Sequence, residues 1–97
     1  MKPVIFLPQA EQEMIEAAKY YESQTAGLGT DYLSEIERAV ATIAESPKMW
    51  PIVEAKLRHR LVRRFPFGIL YFIDSNEIGV VEVAHLSRKP GYWRERI

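Results

Sequence analysis

Ninety-seven residues supply one hydrophobic core and little material for a second, so residues 1–97 read as a single domain. The apolar share of 47% and the charged share of 27% suit an ordinary globular chain, and the absence of cysteine excludes disulfides, thiolate metal sites and a cysteine nucleophile. The net charge is zero, yet residues 1–47 hold three Lys/Arg against eight Asp/Glu, and residues 48–97 hold ten against five. An acidic face and a basic face are expected, the basic one able to meet an anionic partner.

His59 and His85 are the only imidazoles, too few for a multi-histidine metal site, and neither a metal nor a cofactor is expected. No apolar run approaches the roughly 20 residues that cross a bilayer. The opening Met1-Lys2-Pro3-Val4-Ile5-Phe6-Leu7-Pro8 is too short and too broken by proline for a signal peptide, and a cytoplasmic location without membrane contact is expected.

Val4-Ile5-Phe6-Leu7 reads as a first strand, and Pro8 suits a helix start because its missing N–H is no loss there. Met14, Ala17, Ala18 and Tyr21 recur at helical spacing up to about Gln24. Thr25-Ala26-Gly27-Leu28-Gly29 breaks that pattern, with Leu28 as a plug for the hairpin end. Thr30 or Asp31 is expected to cap a second helix with a stripe of Leu33, Ile36, Val40 and Ile43, ended by Ser46-Pro47. The period then shifts toward two. Leu57 to Arg64 reads as a strand, Phe65-Pro66-Phe67-Gly68 as a bend, and Ile69 to Ile73 as an interior strand. Asp74-Ser75-Asn76-Glu77 is a turn, and Ile78 to Leu86 returns as the last strand. The order β-α-α-β-β-β predicts an α+β domain, with a helical hairpin packed on one face of a small, mainly antiparallel sheet.

Four segments in this order carry a family resemblance. Tyr20-Tyr21-Glu22 with Gly27-Leu28-Gly29 is similar to the YYE…GLG signature of ParE-like toxins. Trp50-Pro51 resembles the connector after their second helix, and Arg64-Phe65-Pro66-Phe67 with Ile69-Leu70-Tyr71 resembles one of their strands. Val83 to Trp93 resembles their ending. The chain thus resembles the RelE/ParE superfamily of type II toxin–antitoxin (plasmid stabilisation) modules, closest to ParE-like members. The resemblance implies a cognate antitoxin that masks the toxin in a hetero-oligomer. It also implies one of two targets. A ParE-like toxin binds DNA gyrase and has no reaction of its own; a RelE-like toxin is a metal-independent endoribonuclease acting on mRNA at the ribosome. A non-toxic interaction module of the same fold is a third reading.

Alternation along the basic strand puts Leu57, His59, Leu61 and Arg63 on one side and Arg58, Arg60, Val62 and Arg64 on the other. Three arginines unpaired against an apolar seam would be costly, so Arg58, Arg60 and Arg64 are expected to face away from the helices, where guanidinium forks suit phosphates. The alternative is solvated surface charge, or pairing with Glu54 and Glu82. With Arg58, Arg60 and Arg64, the tail residues Arg88, Lys89, Trp93 and Arg94 form the expected partner- or nucleic-acid-binding set. In the ribonuclease reading, Arg64, His85, Arg88 and Tyr92 would fill the catalytic roles around a substrate 2′-hydroxyl. Parity places His85 toward the helices, as a core histidine, if Glu82 faces the open side, while Tyr92 and Trp93 equally suit packing on the sheet. Tyr20, Tyr21 and Tyr32 are expected in the core or in an antitoxin-facing groove.

Overall fold

The computed structural model describes residues 1–87. Strand β1 (Val4–Phe6) leads into helices α1 (Pro8–Gln24) and α2 (Leu28–Glu45), followed by β2 (Ile52–Glu54), β3 (Leu57–Leu61), β4 (Phe67–Ile73) and β5 (Ile78–His85). The expected α+β order is present, with β2 as a short additional strand. The open five-stranded sheet runs β1-β5-β4-β3-β2, antiparallel except that β1 lies parallel to β5. No described helix is long and apolar enough to cross a membrane.

Both helices bury one stripe against one side of the sheet. Ala10, Met14, Ala17, Ala18 and Tyr21 of α1 meet Tyr32, Ile36, Ala39 and Ile43 of α2 over Ile69, Tyr71, Ile78, Val80 and Val83. Burying each large aliphatic side chain contributes about 1.5–3 kcal/mol. Leu33 stands apart from this stripe on the outer side, because the seam follows Tyr32, Ile36, Ala39 and Ile43 instead. Tyr21, Tyr32, Phe65 and Phe67 form an aromatic cluster, with ring centroids 4.9 Å apart for Tyr21–Phe65 and 5.1 Å for Tyr32–Phe67. Among the described residues the Tyr32 hydroxyl is buried there without a hydrogen-bond partner, and burial raises its pKa. Tyr32→Phe is therefore expected to raise stability by about 1 kcal/mol, measured by urea unfolding, since it removes an unmatched polar group and keeps the ring.

The loop between the helices explains one of the sequence signatures. Gly27 takes φ 87°, the left-handed region open to glycine. The Glu22 carboxylate reaches back over it and accepts the N–H of Gly27 at 2.9 Å and of Gly29 at 3.0 Å. These amides are free donors at the start of α2, so Glu22 caps the helix and meets its positive end. The same bonds hold the Glu22 carboxyl below its usual range. Thr30 and Asp31 do not supply the cap: α2 begins earlier, at Leu28, with Gly27 in the cap position. Leu28 packs against the core as expected.

One irregularity sets which way the last strand points. Leu70 pairs with Glu82, but Tyr71 pairs with Val80, so Val81 is an extra residue in β5. Ile78, Val80 and Val83 face the helices, whereas Val81 joins Leu57 and Leu70 in a second cluster.

Candidate functional site

The arginine row lies opposite to the side expected. Arg58 pairs with Tyr71 and Arg60 with Ile69, and both partners belong to the helix-side core. Cross-strand partners share a face, so Arg58 and Arg60 are on the α2 side, near the sheet margin. The desolvation cost that motivated the opposite expectation is met by local acceptors. Arg58 donates to the carbonyls of Trp50 at 2.7 Å and Lys48 at 3.1 Å. Arg60 donates from Nε to the Thr42 hydroxyl at 3.0 Å and to the Leu61 carbonyl. Its guanidinium stacks 4.7 Å from the centroid of the Trp50 ring. Burial, then the neighbouring Arg63, lowers the pKa of Arg60. Trp50 of the Trp50-Pro51 motif thus engages both guanidinia, Arg58 through its carbonyl and Arg60 through its ring.

Arg64 is separate from that pair. It takes φ 69° at the bend after β3, and its guanidinium returns to α2, 3.6 Å from Asp31 and 3.8 Å from Glu35. Glu35 is 5% exposed and also meets Arg38 at 3.4 Å. Around the bend, Val62 N–H donates to the Phe67 carbonyl and Leu86 N–H to that of Pro66. The Arg64-Phe65-Pro66-Phe67 segment is therefore a staple joining α2, the aromatic cluster and the end of β5. All three arginines of the expected open-face set are corrected to the helix side.

His85 faces the helix side with Phe67, its cross-strand partner, at a ring separation of 5.3 Å. It is exposed at the strand end instead of filling the core. It borders a cleft of about 530 Å³ lined by Glu13, Glu16, Ala17, Tyr20, Tyr21, Phe67 and Val83. Its Nδ1 accepts the Ser87 N–H at 3.1 Å, which places the proton of the neutral ring on Nε2. Glu13 accepts the Val83 N–H at 3.0 Å along the β5 edge beyond the reach of β1. Two carboxylates and two phenols around an imidazole favour a cationic or hydrogen-bonding partner over a phosphate.

On the outer side of the hairpin, Ile15, Ala18, Lys19, Glu22, Gly29, Thr30 and Leu33 line a shallow, mostly apolar groove of about 330 Å³. Ile15 is 42% and Leu33 36% exposed. Helical spacing counts Leu33 in the inward stripe and leaves Ile15 unremarked, so it misses this outer groove. Glu13, Glu16 and Glu35 were likewise unremarkable by spacing.

On the sheet side away from the helices, the His59 ring lies over Gly68, where a Cβ would sit 2.1 Å from Nε2. Burial lowers the pKa of His59. Between that lowered value and about 6.5, the unfolded chain binds more protons, so stability is full above pH 6.5 and falls with acidification through this window. His59→Phe should flatten that part of the stability–pH curve, as read by melting temperature at matched ionic strength; an unchanged slope would contradict the assignment. The remaining expected site residues, Arg88, Lys89, Tyr92, Trp93 and Arg94, lie outside the described residues.

The fold and the placement of these residues can be set beside known proteins. No curated protein sequence matches the chain. Among solved structures, the chain is similar to one from the chromosomal ParDE TA system of P. aeruginosa, with a TM-score of 0.64 and 13% sequence identity. The match covers 88% of this chain and 96% of that chain, and shows the shared fold. Residues 4–90 match the family model described as ParE toxin of type II toxin-antitoxin system, parDE. With nearly the whole chain covered by that model, including the YYE…GLG hairpin and the Arg64 staple, the protein belongs to the ParE toxin family of type II toxin–antitoxin systems.

Proposed function

We propose that this protein is a cytoplasmic toxin that arrests growth by binding DNA gyrase, and that a cognate antitoxin neutralises it within a plasmid-stabilisation type of module. The observation that carries the choice of binding over RNA cleavage is the state of the cations. Arg58, Arg60 and Arg64 are engaged by carbonyls, Thr42, Trp50, Asp31 and Glu35, while His85 is bordered by Glu13 and Glu16. Metal-independent cleavage needs a cationic cradle for the phosphate beside its acid and base, and Arg64 and His85 point to different neighbours. In this reading the basic residues Arg88, Lys89 and Arg94 contact the target. The apolar groove at Ile15 and Leu33 receives the antitoxin.

Expression of the chain alone from a tight promoter should stop growth with a DNA-damage response, and the purified protein should inhibit supercoiling by gyrase. Rapid mRNA cleavage with intact supercoiling would favour the ribonuclease reading. Ile15→Arg with Leu33→Arg should weaken antitoxin binding by roughly tenfold or more while toxicity persists, measured by titration calorimetry and colony counts. Equal binding by the double variant would remove the groove from the antitoxin interface.

A further inference from the structure

The cleft at His85 combines ring surface with negative charge. Glu13, Glu16, Tyr20, Tyr21, Phe67 and His85 line it, and among the described residues no lysine or arginine does. Its volume of about 530 Å³ falls within the roughly 300–1,000 Å³ of small-ligand sites. The Tyr20 and Tyr21 rings stand 5.6 Å apart at 67°, and Phe67 lies 6.2 Å from Tyr21 and 5.3 Å from His85. From this arrangement we infer that the cleft binds the guanidinium of an arginine side chain presented by a partner protein.

Three features select this occupant. The carboxylates are positioned: Glu13 accepts the Val83 N–H at 3.0 Å and Glu16 the Gln12 side-chain amide at 2.9 Å. Both bonds come from neutral donors, which orient a carboxylate without removing its charge. The field reaches inward as well, since the pKa of Tyr32, packed 5.1 Å from Phe67, is raised by burial, then Tyr21, then Glu13. The rings decide which cation fits. A planar guanidinium lays its face on an aromatic ring while its edge donates to carboxylates, whereas an ammonium is compact and strongly hydrated. The source follows from charge. Free arginine carries a carboxylate of its own, which Glu13 and Glu16 would repel, but an arginine within a polypeptide brings none. Tyr20 is 60% exposed and His85 is exposed at the strand end, so the opening is within reach of another chain. The site is independent of the choice between gyrase and mRNA as target.

The test titrates N-acetyl-arginine amide into the isotopically labelled full chain and follows the ring signals of Tyr20 and Tyr21 and the methyls of Val83 by nuclear magnetic resonance. Saturable shifts are expected. The citrulline counterpart, which has the same shape and no charge, should bind roughly tenfold more weakly, and free arginine should also bind more weakly than the capped form. Tyr20→Ala with Glu16→Gln should weaken binding by roughly tenfold or more, and Glu16→Gln alone, which keeps every ring, by roughly threefold. Both side chains are exposed, so the fold tolerates their loss. Shifts that do not saturate, equal binding of the citrulline probe, or undiminished binding by Glu16→Gln overturns the guanidinium site. Equal binding of free arginine overturns the assignment to a protein side chain. Because these readouts involve neither gyrase nor toxicity, a failure here is separate from a failure of the proposed function.

Discussion

Gly29→Ala is expected to lower the melting temperature by about 10–20 °C, the equivalent of roughly 2–3 kcal/mol of overpacking in a domain of this size. A Cβ at Gly29 would stand 2.5 Å from the Ala18 carbonyl oxygen and 3.0 Å from both Cβ and Oε1 of Glu22. The first obstacle is backbone of α1, which cannot rotate aside as a side chain can. Relief requires the helices to separate at the hairpin end, where Ala18 and Tyr21 meet Tyr32. The second obstacle is the cap, since the displaced carboxylate loses its bonds to the Gly27 and Gly29 amides. Differential scanning calorimetry provides the measurement, and a shift of only a degree or two would mean that the hairpin yields more easily than its geometry implies. Gly27→Ala tests a different term, the left-handed backbone, because nothing lies within 4 Å of a Cβ there.

The second large effect concerns a buried charge. Glu35 is held by Arg38 and Arg64, whose side chains are 57% and 56% exposed. Removing both guanidinia should cost about 2–3 kcal/mol, below the range for a fully buried pair because solvent screens both cations. Removing the carboxylate instead strands no buried charge. Arg38→Ala with Arg64→Ala should therefore be strongly destabilised in urea, and adding Glu35→Gln should restore most of the loss. Failure of that rescue would mean that the arginines act through packing or through the bend at Arg64. Loss of toxicity in Arg64→Ala alone would not identify a target contact; the same substitution beside Glu35→Gln would separate the two effects.

Much of the fold was legible because each long element obeys one period. The helical recurrence of Met14, Ala17, Ala18 and Tyr21 and the doubly apolar run from Ile69 to Ile73 report burial directly. Sidedness was less legible, for two local reasons. Alternation grouped Arg58, Arg60 and Arg64 correctly up to the strand end, but it carries no information about acceptors supplied from elsewhere, here the carbonyls of Lys48 and Trp50 and the Thr42 hydroxyl. Alternation also assumes an unbroken pleat. The extra Val81 shifts the phase, so Val81 and Val83 occupy opposite faces although their spacing assigns them to one. His85 was placed toward the helices on the stated condition for Glu82, which the Leu70 pairing meets. Its exposure was not readable, because it depends on where the core stops along β5.

The parallel pairing of β1 with β5 joins Val4 to Ile78 and Phe6 to Val80. During synthesis the first strand must therefore wait, unpaired, until residues 78–80 have left the ribosome. A chain that stops before Ile78 would leave Val4–Phe6 without its partner strand, so the sheet is completed only once β5 has been made.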